Sequence, residues 1–230
     1  FVGPVRCDAG EGSPSGAAAA YAGRLELLAR LRASLSRALD GGGGVLLLVG
    51  KAGIGKTHTA RVVAEWARVR GAETLSTWGL VRSAPTCWVW SQSLRSLASA
   101  SPRALAALTP AQRADLAQLV PELGTSRVPA RPGDLELARL RRFSSVQSFL
   151  RRAAAARPLA LIVDDLHLAD AETLWLLEFV ARDLAGQCLA IVATCREDVP
   201  AASPEHARAR EALLRAPSVE RWPLAPLDDD

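Results

Sequence analysis

A three-layer α/β sandwich, with a parallel central sheet of about five strands and helices on both faces, is the fold this 230-residue chain predicts. Three observations lead there. Short apolar runs alternate with segments of helical spacing from Gly23 onward. Two of the runs, 45–49 and 159–163, are continuously apolar, as strands buried on both faces of a parallel sheet are. A glycine-rich loop joins the first of them directly to a helical segment.

Residues 1–20 are rich in Gly, Ala, Ser and Pro without apolar periodicity and read as a flexible lead-in, which leaves 21–230 as one folded unit. Leu28, Leu31, Leu35 and Leu39 recur at spacings of three and four, marking an amphipathic helix that Asp40 and Gly41–Gly44 end. Val45–Val49 is the first strand. After the glycine loop, Val62, Val63, Trp66 and Val69 give helical spacing up to Gly71. A second strand is expected near Thr74–Val81. Residues 91–123 read as helices punctuated by Pro102, Pro110 and Pro121, and 124–132 as a loop. A long helix follows over Leu135–Ala156, with Leu140, Phe143, Val146 and Leu150 inward. Leu159–Val163 is the next buried strand. Asp170–Leu184 is a helix with Leu174, Leu177 and Val180 inward, Cys188–Thr194 a strand, Glu205–Arg215 a helix and Val219–Leu224 a last strand.

Composition narrows the function classes. No apolar run approaches the roughly 20 residues that span a bilayer, and the start lacks the basic and apolar regions of a signal peptide. The absence of methionine points to a piece of a longer or processed product. The net charge is +4, but the arginines are spread through helical segments beside Glu and Asp, so no nucleic-acid footprint is expected. Cys7, Cys87, Cys188 and Cys195 form no CxxC pair, which indicates neither zinc nor a disulfide framework; a reduced, cytoplasmic compartment is the expectation.

The only two lysines, Lys51 and Lys56, both lie in the glycine loop. Gly50-Lys51-Ala52-Gly53-Ile54-Gly55-Lys56-Thr57 meets the pattern Gly-x-x-x-x-Gly-Lys-Thr of a P-loop. Glycines let backbone N–H groups turn inward around phosphate oxygens, Lys56 reaches the β- and γ-phosphates, and Thr57 offers a hydroxyl to Mg²⁺. The loop amides of Gly50, Ala52, Gly53, Ile54 and Gly55, with His58 at the start of the helix, complete the expected cradle, and the helix adds its positive end. A chance glycine turn would lack the strand before and the helix after, and both are present here. Lys51 reads as an exposed variable position.

The run Leu159–Val163 closes on Asp164 and Asp165. In open α/β sheets ligands bind beyond the carboxyl ends of the strands, so Asp164 is expected to meet Mg²⁺ near Thr57 and Asp165 to orient or deprotonate the attacking water. The alternative for Asp165, shared with Asp170, is to cap the following helix. His167 reads as structural. The next run ends Thr194-Cys195-Arg196; if this strand lies between the other two, Thr194 and Arg196 face the γ-phosphate. A surface pairing of Arg196 with Glu197 or Asp198 is the alternative.

With these elements in order, the chain resembles the nucleotide-binding domain of STAND-type ATPases, and more narrowly the AAA-like ATPase domain of large LuxR-type transcriptional regulators and some bacterial nucleotide cyclases. Tyr21-Ala22-Gly23-Arg24 is similar to the opening Phe-Val-Gly-Arg of that family, which puts Arg24 near the nucleotide base. Val49–Thr57 matches its Walker A motif, and Ala84-Pro85-Thr86-Cys87-Trp88-Val89-Trp90 its Trp-rich segment. Val163–Asp170 resembles its Walker B motif, with Leu168 where Trp is usual. Thr194-Cys195-Arg196 resembles its sensor strand and Val219–Leu227 its closing stretch. The resemblance implies ATP and ADP with Mg²⁺ as ligands, slow hydrolysis, a nucleotide switch within a longer regulator, and self-association on activation. It also implies lid, winged-helix and effector domains beyond this segment. A nucleotide scaffold without turnover, a DNA-binding regulator segment and a small-molecule kinase are the competing classes.

Overall fold

A computed structural model describes residues 25–78, 85–124 and 134–224. The lead-in 1–20, the Tyr21–Arg24 segment, the expected loop from 125 onward and residues 225–227 of the closing stretch lie outside the described residues.

Strand β1 (Gly44–Val49) is buried at every position. It can be so because two helical layers enclose it, and the alternation of its side chains decides which layer each meets. Val45, Leu47 and Val49 enter one cluster; Leu46 and Leu48 enter the other. The remaining strands are β2 (Glu73–Trp78), β3 (Leu159–Asp164), β4 (Leu189–Cys195) and β5 (Val219–Pro223). They form one parallel sheet in the order β2-β3-β4-β1-β5. β4 therefore lies between β1 and β3, the arrangement on which the sensor-strand expectation depended.

On one face pack α1 (Leu25–Arg37), which runs on into a tight turn over Ala38–Gly42, and α2 (Lys56–Val69). The other face carries α3 (Trp88–Ala100), α4 (Pro102–Ala106), α5 (Pro110–Leu116), α6 (Leu135–Ala156), α7 (Ala171–Ala181) and α8 (Pro204–Arg215). Pro102, Pro110 and Pro204 each open a helix, where the missing N–H costs nothing. Thr109 and Gln112 close a capping box on α5.

The inward assignment of Leu140 needs correction, and the helical spacing over α2 does not all face the core. Val69 is 79% exposed, because the buried stripe of α2 runs through Thr59, Ala60, Val63, Ala64 and Ala67. Small side chains let that helix approach the sheet closely, whereas Val69 falls two positions past the stripe. Trp66 is half-buried beneath the Arg70 guanidinium, 5.2 Å from its ring centre. Leu140 is 47% exposed, as are Leu135 and Leu137 to a greater degree; α6 meets the core only from Phe143 onward, through Val146, Phe149 and Leu150. Cys87 and Cys195 are buried free thiols, and Cys188 is a half-buried one.

Candidate phosphate-binding site

The loop between β1 and α2 holds its shape through glycine. A Cβ on Gly50 would stand 3.1 Å from the Leu224 carbonyl oxygen and 3.2 Å from Ile54 Cγ2. Gly53 and Gly55 take φ of 76° and 89°, a region that side chains disfavour. Lys56, the first residue of α2, is 6% exposed. Its Nζ donates to the carbonyls of Gly50 (3.0 Å) and Lys51 (2.7 Å), so the ammonium lies across the loop. Lys51 is exposed, as expected, as are Ala52, Gly53 and His58; Ile54 packs partly against the core beneath. Arg24 lies outside the described residues.

The parallel register sets the second half of the site. Val49 lies beside Cys195 across β1 and β4, and Val163 beside Ala193 across β3 and β4. Three strand ends therefore reach one level. Asp164, 6% exposed, accepts on Oδ1 from the Thr57 hydroxyl at 3.0 Å, although a whole strand separates β1 from β3. The same oxygen accepts from the Thr194 hydroxyl, and Thr194 Oγ1 accepts in turn from the Asp165 backbone N–H at 2.8 Å. Thr194 is completely buried. Its hydroxyl is engaged with the acidic pair, in contrast to the expectation that it faces a phosphate.

Asp165 adopts φ 54°, ψ 45°, a left-handed conformation rare outside glycine and tolerated best by Asn and Asp. This turns its side chain, 43% exposed, out of the strand line. It makes no capping hydrogen bond. Asp170 does: it accepts from the Thr173 N–H at 3.0 Å and opens α7. Arg196 is bound through two nitrogens to Asp198, at 3.1 and 2.9 Å. That contact holds its guanidinium pKa above the ordinary value and the Asp198 carboxyl below its own. Of the two readings of Arg196, the geometry is that of the surface pair.

His167 was legible only as a structural residue. Its side chain is 5% exposed, and Nδ1 stands 3.8 Å from Asp165 Oδ1. Burial pushes its pKa below the usual imidazole value, against a smaller opposing pull from Asp165. A lone His two residues past an acidic pair gives little warning of this. The tie between Asp170 and the segment after β2 was also illegible: the Cys87 backbone N–H donates to Asp170 Oδ2 at 3.0 Å.

A parallel sheet whose first strand feeds a glycine loop and a lysine-headed helix, with a carboxylate from a third strand meeting that helix, defines an α/β protein of the P-loop nucleotide-binding type. The model of the AAA ATPase domain family matches residues 21–192, and the chain belongs to that family. Among solved structures, Cdc6p from Pyrobaculum aerophilum is 18% identical over 86% of this chain and 44% of its own, with a TM-score of 0.49. A chain in the structure of Drosophila ORC bound to GC-rich DNA and Cdc6 is 14% identical over 100% of this chain and 66% of its own, with a TM-score of 0.45. This chain thus spans less than half the length of the Cdc6p chain it resembles. No curated protein matches it. Among the described residues, no helix is long and apolar enough to cross a membrane.

Proposed function

We propose that residues 21–230 form an ATP-binding, slowly hydrolysing switch domain of a longer bacterial signalling or transcription regulator of the STAND type, working in the cytoplasm. The observation that carries the nucleotide part is the 3.0 Å contact of the Thr57 hydroxyl with Asp164 across an intervening strand. Thr57 uses its proton there, which leaves its oxygen lone pairs available as a ligand. A hydroxyl and a carboxylate are the hard oxygen donors that Mg²⁺ takes beside phosphate and water. Bound Mg²⁺ would neutralise charge on the β- and γ-phosphate oxygens.

The chain's own residues then have distinct tasks. The Gly50–Thr57 amides cradle the phosphates, and Lys56 gives up a loop carbonyl for a phosphate oxygen. Asp165, turned out of the strand, accepts a proton from the attacking water. Thr194 fixes the Asp164 carboxylate and the backbone from which the Asp165 side chain turns. Arg196, engaged with Asp198, leaves the γ-phosphate without that guanidinium unless the pair opens, which supports slow turnover. Longer-range roles, in which nucleotide state moves further domains or drives self-association, require the two states to bind ATP and ADP differently.

Measured phosphate release from ATP tests the reading. Release that depends on Mg²⁺ and disappears in Asp165→Asn, with nucleotide binding retained, is the expected result. Binding without any release from the wild type would leave a nucleotide scaffold, and no binding of ATP or ADP would sink the proposal.

A further inference from the structure

A cavity of about 200 Å³ lies behind the acidic strand ends, on the α7 and α8 face of the sheet. Leu47 and Val49 of β1 and Leu213 and Leu214 of α8 give it apolar walls. Two imidazoles interrupt them. His206 is 3% exposed; the Ala169 backbone lies near its ring, yet neither ring nitrogen has a partner in hydrogen-bond geometry among the described residues. Nδ1 of His167 is likewise without one. Burial lowers the pKa of both rings, so at neutral pH each is uncharged and carries one donor and one acceptor. Buried polar atoms of this kind are normally satisfied.

Three guanidinium groups line the same cavity. Arg196 is neutralised by Asp198, and Arg221 by Glu197 at 2.8 Å. Arg210 donates only to the Val199 carbonyl, at 3.1 Å, and among the described residues no carboxylate lies within ion-pair distance of it. The cavity therefore joins an uncompensated, half-buried cation and unpaired neutral donors to an aliphatic wall. A phosphate ion would answer the cation and leave the wall uncovered, and a hydrocarbon would do the reverse. One carboxylate on a short aliphatic body answers both.

We propose that this cavity is a binding site for a small aliphatic carboxylic acid, with its carboxylate on Arg210 and a His206 ring nitrogen and its carbon chain against Leu47, Val49 and Leu213. The position makes the site regulatory. Leu166 and His167 in its wall follow Asp165 directly, and Cys195 and Arg196 follow Thr194. An occupant that fits one placement of these residues better than another shifts the acidic pair with it.

The test is calorimetric titration of the nucleotide-free chain with hexanoate, with acetate and hexan-1-ol as the two halves of the ligand. Hexanoate should saturate and bind at least about tenfold more tightly than either half. Arg210→Gln should weaken it at least about tenfold, while the circular dichroism spectrum and urea midpoint stay at the wild-type values. Leu214→Trp, which fills the cavity from a half-buried position, should remove binding. Absence of saturable hexanoate binding, equal affinity for acetate, or indifference to Arg210→Gln overturns the proposal. Because nucleotide is left out, none of these outcomes depends on the ATPase reading.

Discussion

Thr194 bears no charge and sees no solvent, yet its single hydroxyl binds Asp164 and the Asp165 N–H together. Thr194→Val keeps the shape and removes both bonds, leaving a donor and a carboxylate oxygen short of a partner. Stability should fall by about 1–3 kcal/mol in urea unfolding, whereas Thr194→Ser should lose much less. Asp165 presents the opposite case, because its backbone at φ 54° costs energy in a residue kept for chemistry. Asp165→Gly relieves that strain, so its unfolding free energy in urea should match or exceed that of wild type by up to about 1 kcal/mol, with phosphate release abolished. A clear loss of stability in Asp165→Gly would show that the carboxylate supports the fold. At this scale the loop glycines, Lys56, Thr57 and Asp164 were legible because each residue type has few alternatives at its spacing. The engagement of Arg196 with Asp198 was legible only as one of two options, since both partners lie within two residues of each other in sequence.

Elements were legible where local chemistry and burial agree. Pro102, Pro110 and Pro204 announce helix starts, and the wholly apolar strands announce a sheet covered on both faces. The facing of helices was harder to read. In α2 the large residues mark the spacing, but of these only Val63 is buried; Ala60, Ala64 and Ala67 make much of the contact, and alanine is a weak marker of burial in a chain so rich in it. α7 lacks a polar face because it is sandwiched, with Leu174, Leu176, Leu177 and Val180 all buried. Its start depends on Asp170, which accepts from the Thr173 N–H, the Thr173 hydroxyl and the Cys87 N–H. Asp170→Ala removes a helix cap, worth about 1 kcal/mol, and deprives a second segment of its acceptor, worth about as much again. A total loss of about 2 kcal/mol is expected in urea, with Asp170→Asn retaining part of the stability. A loss within error of zero would mean that α7 is held by its packing alone.

For the whole molecule, the two histidines beside the cavity make stability depend on pH. Both have folded pKa values below the ordinary 6.5 because of burial, so the unfolded chain takes up protons first as pH falls. Their contribution is complete above about pH 6.5 and is lost as pH drops through that value toward the lower folded ones. The melting temperature should therefore decline on acidification from neutrality, and His206→Gln, which does not titrate, should flatten the profile. An equally steep profile in that variant would place the effect elsewhere. Nucleotide acts on the same melting temperature from the other side of the acidic pair. A ligand at 100 times its dissociation constant adds about 2.7 kcal/mol, which for a chain of this size is a rise of roughly 5–10 °C. ATP with Mg²⁺ should give that rise in the wild type. Thr57→Val should lose the Mg²⁺-dependent part while keeping the part owed to the loop amides and Lys56. If the two proteins respond alike to Mg²⁺, the meeting of Thr57 with Asp164 serves only to join α2 to β3.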